Sequence, residues 1–478
     1  VAGAITLNDA SVALSGSSAD VAAALTGITG YTGNITLTDN HDLAQLKTIN
    51  NATSGTINLN SYAVALSGST ADVKAALDGT FGATYTGNVT ISDANTADIT
   101  ATDLTTIAGD TDGTVTVTNA IDLNGTAAQV AAAVAAVDTF SAAATATLSD
   151  AHTLAELKAI NNKLSGALTL NSYGVALGGS VADIKAALAG SFASTYTGNV
   201  TFSDANAADI TATDITTIAA ATDGTVTVTN TIDVNGTAAE VTAAFGVINT
   251  NTGNATATLS DAHNLAQLKA INNATSGAIT LNDASVALSG SASDVTAALT
   301  GITGYTGNIT LTDAHNLAQL KTINDATSGT ITLNNYGVAL GGSTADVKAA
   351  LAGNFGATYT GNVTISDANT ADITATDITT INGDTDGTIT VSNAIDLNGT
   401  AAQIAAAVAA VDTFSAAATA TLSDAHTLAQ LKAINNKLSG ALTLNSYGEA
   451  LGGSVADIKA ALAGSFASTY TGNVTFSD

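Results

Sequence analysis

Residues 1–204 of this chain recur almost unchanged as residues 275–478, a period of 274, and inside that period residues 60–162 recur as 171–273, a period of 111. A chain this repetitive cannot fold around one singular core. Each repeat has to bury its apolar face against a near copy of itself, and the outcome is a quasi-one-dimensional stack. Length alone would suggest three or four globular domains; the repeats override that prior. The finest period is a coil of 22–32 residues, and about seventeen such coils fill the sequence.

Thr145 to Leu170, TATLSDAHTLAELKAINNKLSGALTL, contains one coil and the start of the next. Ala146-Thr147-Leu148 alternates with period two, which puts Ala146 and Leu148 on one face of a strand. Thr153 followed by Glu156 is a capping box, so a helix starts there. Leu154, Leu157 and Ile160 then share one helix face. Lys158 lies well into that helix, where a cation suits the dipole better than at its start. Asn161, Asn162 and Gly166 are expected to end it, because Asn and Gly tolerate positive φ. In sister coils the cap slot holds Asp42, Asn264, Asn316 and Thr427, with Gln45, Gln267, Gln319 and Gln430 as partners. Ser17/Asp20, Ser69/Asp72, Ser180/Asp183 and their copies repeat the device.

The expected fold is an α/β solenoid: a right-handed parallel β-helix-like stack of 22–32-residue coils on one parallel sheet, most coils carrying a short capped helix. The hand follows from the strong right-handed preference of parallel β-x-β connections. Residues 1–274 form a ten-coil solenoid repeat and 275–478 a second, incomplete copy, together one continuous rod on the order of 80 Å long. Coils enter near Ala4, Asn34, Thr56, Asn88 and Thr114, and so on to Asn473. The inward strand pairs run from Ile5/Leu7 through Ile35/Leu37 and Val115/Val117 to Val474/Phe476. Longer coils gain a second strand at Val12-Ala13-Leu14, Val64-Ala65-Leu66 or Ile121-Asp122-Leu123, which 22-residue coils such as 34–55 omit. Thr-rich ADITATD segments give coils 88–113, 199–224 and 362–387 the weakest helices. Val1 opens in a turn and Asp478 stops just after a strand, as in an internal piece of a longer chain with uncapped ends.

The net charge is −28, and the eleven basic residues are all Lys. That balance argues against nucleic acid and anionic membrane surfaces as partners, and no apolar run approaches the roughly 18 residues of a membrane span. The chain has no Cys, which excludes disulfides and thiolate metal sites.

On the outward face of the strands, Thr36, Thr90, Thr116, Thr147 and Thr201 belong to a nearly unbroken Thr column, a polar face suited to sheet propensity, lateral packing, or contact with ice or glycan. The following turn carries Asp9, Asp39, Asp261, Asp283 and Asp313 where Asp runs without interruption, and Asp alternates with Ser or Asn elsewhere. Stacked carboxylates about 5 Å apart repel by roughly 0.8 kcal/mol even in water, so the alternation relieves the ladder and the runs are candidate Ca²⁺ sites. Asp110, Asp112, Asp384 and Asp386 make calcium-like turns of the Asp-Thr-Asp-Gly type. Plain turn chemistry is the competing reading, and no cofactor is required. The five His, at 41, 152, 263, 315 and 426, share one slot before a helix cap and read as turn packing. Tyr31, Tyr85, Tyr196, Tyr305, Tyr359 and Tyr470 cover loop corners, or form an exposed row for sugar stacking. Glu449 stands in the apparent core slot of Val12, Val64, Val175 and Val338, where a lone charge is costly.

Segments such as TLSDAHTLAELKAIN at 147–161 and TLSDAHTLAQLKAIN at 421–435 carry a resemblance that covers the whole chain. The sequence resembles the acidic, Thr/Asp/Ala-rich β-strand repeat arrays of giant bacterial and cyanobacterial surface proteins. The resemblance implies an extracellular or cell-surface filament or adhesin stalk, with like chains end to end or side by side as partners. The alternative is a binding module whose Thr/Asn face grips ice, glycan or a like filament. An enzyme is disfavoured, since nearly every group has a copy 274 residues away.

Overall fold

A computed structural model describes residues 5–477. The chain divides into two compact units, one running to Ile232 and including Val247–Asn254, the other comprising Asp233–Gly246 and the residues from Ala255 onward. Both are built from the same strand–helix unit. Among the described residues there are 17 helices, and every strand pairing is parallel. The architecture is a repetitive, solenoid-like α/β stack.

A short coil is one strand and one helix: Ile35–Leu37, a turn, then Leu43–Ala52. Longer coils have an entry strand and a second strand directly before the helix, as in Val115–Val117, Asp122–Gly125 and the helix Ala127–Ala136. The capping boxes lie where the sequence puts them. The Asp42, Thr126, Thr153, Asn264, Asn316, Thr400 and Thr427 side chains all accept from the backbone three residues on, with the Gln or Glu side chain reaching back. Inward strand residues such as Ile35, Leu37, Val115 and Val117 are buried, as are Leu157 and Ile160 of the helix face.

Four expectations need correction. The strands do not form one sheet but a series of ladders of two to four strands. Leu14–Gly16, Ile35–Leu37 and Ile57–Asn58 make one. Leu66–Gly68, Val89–Ile91, Val115–Val117 and Thr139–Phe140 make the next. Asp98–Thr100, Asp122–Gly125, Thr145–Leu148 and Leu168–Thr169 make a third. Unequal coils are the cause. The single strand of a short coil pairs with the pre-helix strand before it, the next entry strand adds to that, and its own second strand has to open a new ladder.

The second strand begins later than expected, at Leu14 and Leu66 rather than Val12 and Val64. The ADIT segments are second strands in their own right, and the helices after them are full ones, Ala101–Gly109, Ala212–Ala220 and Ala375–Asp384; what they lack is a side-chain cap hydrogen bond. Asn161 and Asn162 lie inside the helix Leu154–Lys163, which ends at Leu164 with φ −98 rather than in a left-handed residue. Asn161 instead donates to the Ala187 carbonyl of the next helix.

Ile5 and Leu7 are 55% and 37% exposed, and Val474 and Phe476 are 43% and 57% exposed, since no coil of this chain lies over their outer side. The entry at Ala4, Val1 and Asp478 lie outside the described residues.

Candidate functional site

The polar side chains with the most regular geometry join one coil to the next. Turn aspartates cap the helix of the preceding coil. Asp39 Oδ1 accepts from the Ser18 N–H at 2.6 Å, Asp150 Oδ1 from Ala127 N–H at 2.7 Å, Asp261 Oδ1 from Ala238 N–H at 2.7 Å and Asp313 Oδ1 from Ala292 N–H at 2.6 Å. Each of those amides is the first of a helix, two residues before the amide that bonds the helix's own cap Ser or Thr. Two orphan donors are thus satisfied from two coils. These four carboxylates turn toward helix starts. At the alternating positions Asn119 and Asn230 donate to the carbonyls of Asp93 and Asp204, both at 2.6 Å.

The other calcium candidates have their own surroundings. Asp9 and Asp283 accept from the N–H and hydroxyl of Ser11 and Ser285, bonds that hold both carboxyls below their ordinary range. Asp110 and Asp384 lie at the C-terminal ends of their helices, and burial pushes both carboxyls up. Asp110 Oδ2 is buried without a partner. The backbone N–H groups of Asp112 and Asp386 donate to the carbonyls of Tyr85 and Tyr359, both at 2.8 Å, and their side chains are exposed. Among the described residues, no three His, Cys, Asp or Glu side chains converge as metal ligands would.

The five His are buried, and each pairs with a Tyr near the end of the next coil. His152 Nε2 lies 2.9 Å from the Tyr196 hydroxyl, which donates to the Val175 carbonyl at 2.7 Å. His41–Tyr85–Val64, His263–Tyr305–Val286, His315–Tyr359–Val338 and His426–Tyr470–Glu449 repeat the chain. A phenol has one proton, and the carbonyl takes it, so the imidazole carries its proton on Nε2 and donates. Nδ1 is then a bare acceptor, and in all five it is buried without a partner. Burial pushes these imidazoles down and the phenols of Tyr85, Tyr196, Tyr305 and Tyr359 up. The Gly of each Tyr-Thr-Gly is fixed by the same carbonyl: a Cβ on Gly87 would overlap the Val64 oxygen. These tyrosines therefore form no exposed sugar-stacking row. The Val64, Val175 and Val338 side chains are only half-buried, so the slot of Glu449 is not core, and its charge keeps water.

Lysines stitch the helix side. Lys321 Nζ lies 2.6 Å from Asp346 of the next helix, and Lys47–Asp72, Lys74–Asp103, Lys158–Asp183, Lys185–Asp214, Lys269–Asp294, Lys348–Asp377 and Lys432–Asp457 repeat the pairing. Lys47 and Ser69 together hold the Asp72 carboxyl below its usual range. Lys163 and Lys437 reach the last carbonyls of the preceding helices, at Val137 and Val411.

The Thr column breaks into short ranks, because the ladders are short. Thr90 pairs with Thr116, and Thr116 with Thr139. Thr147 lies between Asn124 and Thr169, Thr36 between Ser15 and Asn58, and Thr201 between Gly178 and Thr227. Thr145 and Thr147 both donate to the Asp122 carboxylate, at 2.8 and 3.0 Å.

Sequence reasoning missed two features that had a signal in the sequence. One is capping between coils, whose signal was the steady spacing of a turn Asp one coil after each helix start. The other is a cleft of about 700 Å³ between Asn272–Ile279 and Ala297–Ile302. Its signal was a shortened return, LTGITGYTG at 299–307, against LDGTFGATYTG at 77–87. No helix among the described residues is long and apolar enough to cross a membrane. No protein-family model matches the chain, and a search of curated proteins finds no match.

Proposed function

We propose that this chain is a structural stalk, an extracellular or cell-surface filament segment whose work is to span distance and bear load. The observation that carries the reading is where its charged side chains go. Turn aspartates, lysines and buried His–Tyr chains make bonds from one coil to another, at recurring slots of the sister coils. A surface built for chemistry concentrates singular groups in one place; here the groups are distributed at coil spacing. In this reading the coils wind right-handed, as parallel crossovers do, the chain is not an enzyme, and like chains associate end to end or side by side. Calcium at the Asp turns is an accessory in this reading, checked by whether the melting temperature of chelator-treated protein rises on adding Ca²⁺.

Stretching single molecules of the full chain tests the proposal. A stalk extends through many similar force steps, each releasing one coil of 22–32 residues. One or two large rips with no coil-sized steps would refute it. The second reading, a Thr face for ice or glycan, ranks lower because its Thr ranks are at most three strands long. A thermal-hysteresis assay and a glycan array decide it.

A further inference from the structure

Four coils close in the same way. After the helix, the chain passes through a segment of the Thr-Phe-Gly type that adds a short parallel edge to the coil's own entry strand: Phe81 on Ile57, Phe192 on Leu168, Phe355 on Ile331 and Phe466 on Leu442. The bonds are between backbones. Ile57 N–H donates to the Thr80 carbonyl at 2.8 Å, and the Ile57 carbonyl accepts from Gly82 N–H at 3.0 Å; Ile331 does the same with Asn354 and Gly356. All four covered residues are fully buried.

The coil that enters at Ile279 departs from this pattern. Its return, Leu299–Gly307, is two residues shorter than Leu77–Gly87 and has no Phe. Gly301 and Gly304, at φ 76 and 74, take the tighter path that such shortening demands. Ile279 pairs with Ala257 on one side, where Ala257 N–H bonds the Ala278 carbonyl at 3.0 Å. In a parallel ladder the N–H and C=O of Ile279 itself then point the other way. They face the cleft of about 700 Å³, and no strand is bridged to them there. Ile279 is only partly buried, unlike its four counterparts. Ile279 and Ile302 give the cleft an apolar floor; Asn272, Asn273 and Thr300 give it a neutral rim, and no charged residue lines it.

We propose that this cleft is a peptide socket: it receives an extended segment of a partner chain, an aromatic residue followed by a small one, added as a parallel strand on Ile279. The occupant's chemistry is read from the four sister coils, where a Phe and the backbone on either side of it fill this place. A partner supplies the segment because the chain's own four segments of this type are each seated on their own coils. The rim asks for no charge on the peptide. The same shortened return occurs at Leu25–Gly33, after the coil of Ile5. This goes beyond the stalk reading and does not depend on it.

The test uses the full chain and a labelled peptide of residues 79–84, Gly-Thr-Phe-Gly-Ala-Thr, followed by fluorescence anisotropy. Saturable binding is expected, weakened about tenfold or more when the peptide's Phe is replaced by Ala. Binding at this cleft is expected to vanish in a chain whose residues 300–304 are replaced by residues 78–84, which fills it. Should that graft fail to fold, hydrogen exchange on the natural chain decides: the Ile279 amide is expected to slow about tenfold or more when peptide is added. No saturation up to about 1 mM, equal binding of the Ala peptide, or unchanged Ile279 exchange would overturn the proposal. Protection of Ile279 that grows with the chain's own concentration, without peptide, would assign the cleft to a second copy and overturn the separate partner.

Discussion

Nε2 of His152 lies 2.9 Å from the hydroxyl of Tyr196, forty-four residues on, with its other ring nitrogen buried and bare. Protonation would place a second N–H, and a charge, where nothing accepts them. The carboxylates of Asp150 and Glu156 pull the imidazole the other way, but burial is the larger effect and its pKa falls below the ordinary 6.5. The unfolded chain therefore binds protons more readily than the folded one. The stability these His contribute is complete above about pH 6.5 and is lost as pH falls through and below that value. Thermal melts from pH 8 to 5 are expected to show a falling Tm in wild type and a shallower fall in His152→Gln, whose side chain cannot ionise. A flat wild-type profile would contradict the tautomer and burial assigned to all five.

Asp150 is the cap that the helix Ala127–Ala136 takes from the following coil. Asp150→Ala is expected to cost about 0.5–2 kcal/mol and Asp150→Asn distinctly less, since Asn also caps well. Urea midpoints of the two variants check this. Equal losses would mean that the carboxylate's charge, and not its role as acceptor, matters.

Thr96, Ala207 and Thr370 occupy one slot of three sister coils with φ of 62, 60 and 63. The left-handed region is strained for any side chain and most of all for a β-branched one. Their backbone N–H groups still donate to the next coil, Thr96 to Ala120 at 2.7 Å. Thr96→Asn and Thr370→Asn are expected to stabilise by about 1 kcal/mol each, read as a raised unfolding midpoint.

Asp110 puts a carboxylate at a helix C-terminus with one oxygen buried and unpaired, and its sister position is Ala221. Its pKa is raised, so the penalty is absent at low pH and present once pH exceeds the ordinary 3.8. Asp110→Ala is expected to raise stability at pH 7 by about 0.5–1 kcal/mol, a figure reduced for partial exposure. The gain is expected to disappear near pH 3. A loss of stability at pH 7 would point to a partner for that carboxylate.

Much of the unit was legible. Thr153 with Glu156 marked a helix start to the residue, and the alternation of Ile35-Thr36-Leu37 marked a strand and its buried face. These are local signals, carried by neighbouring residues. Partner choice is not local. Whether Thr147 stacks on Thr116 or on Asn124 depends on how many strands the preceding coil contains, and no residue near Thr147 records that. The same holds for Asp39, which reads as a turn residue in sequence but serves the helix start at Ser18. His41 reads as a turn residue in sequence, but its Tyr85 partner lies forty-four residues on, at the far end of the next coil.

Because the first free amide of a helix is completed by an aspartate from the coil that follows, the bonding has a direction. Detaching a coil strips its predecessor of an acceptor, while its successor keeps the acceptor it already has. Loosening that begins at a break should therefore travel more readily toward the amino-terminal side than toward the carboxyl-terminal side, a polarity like that of a zip fastener.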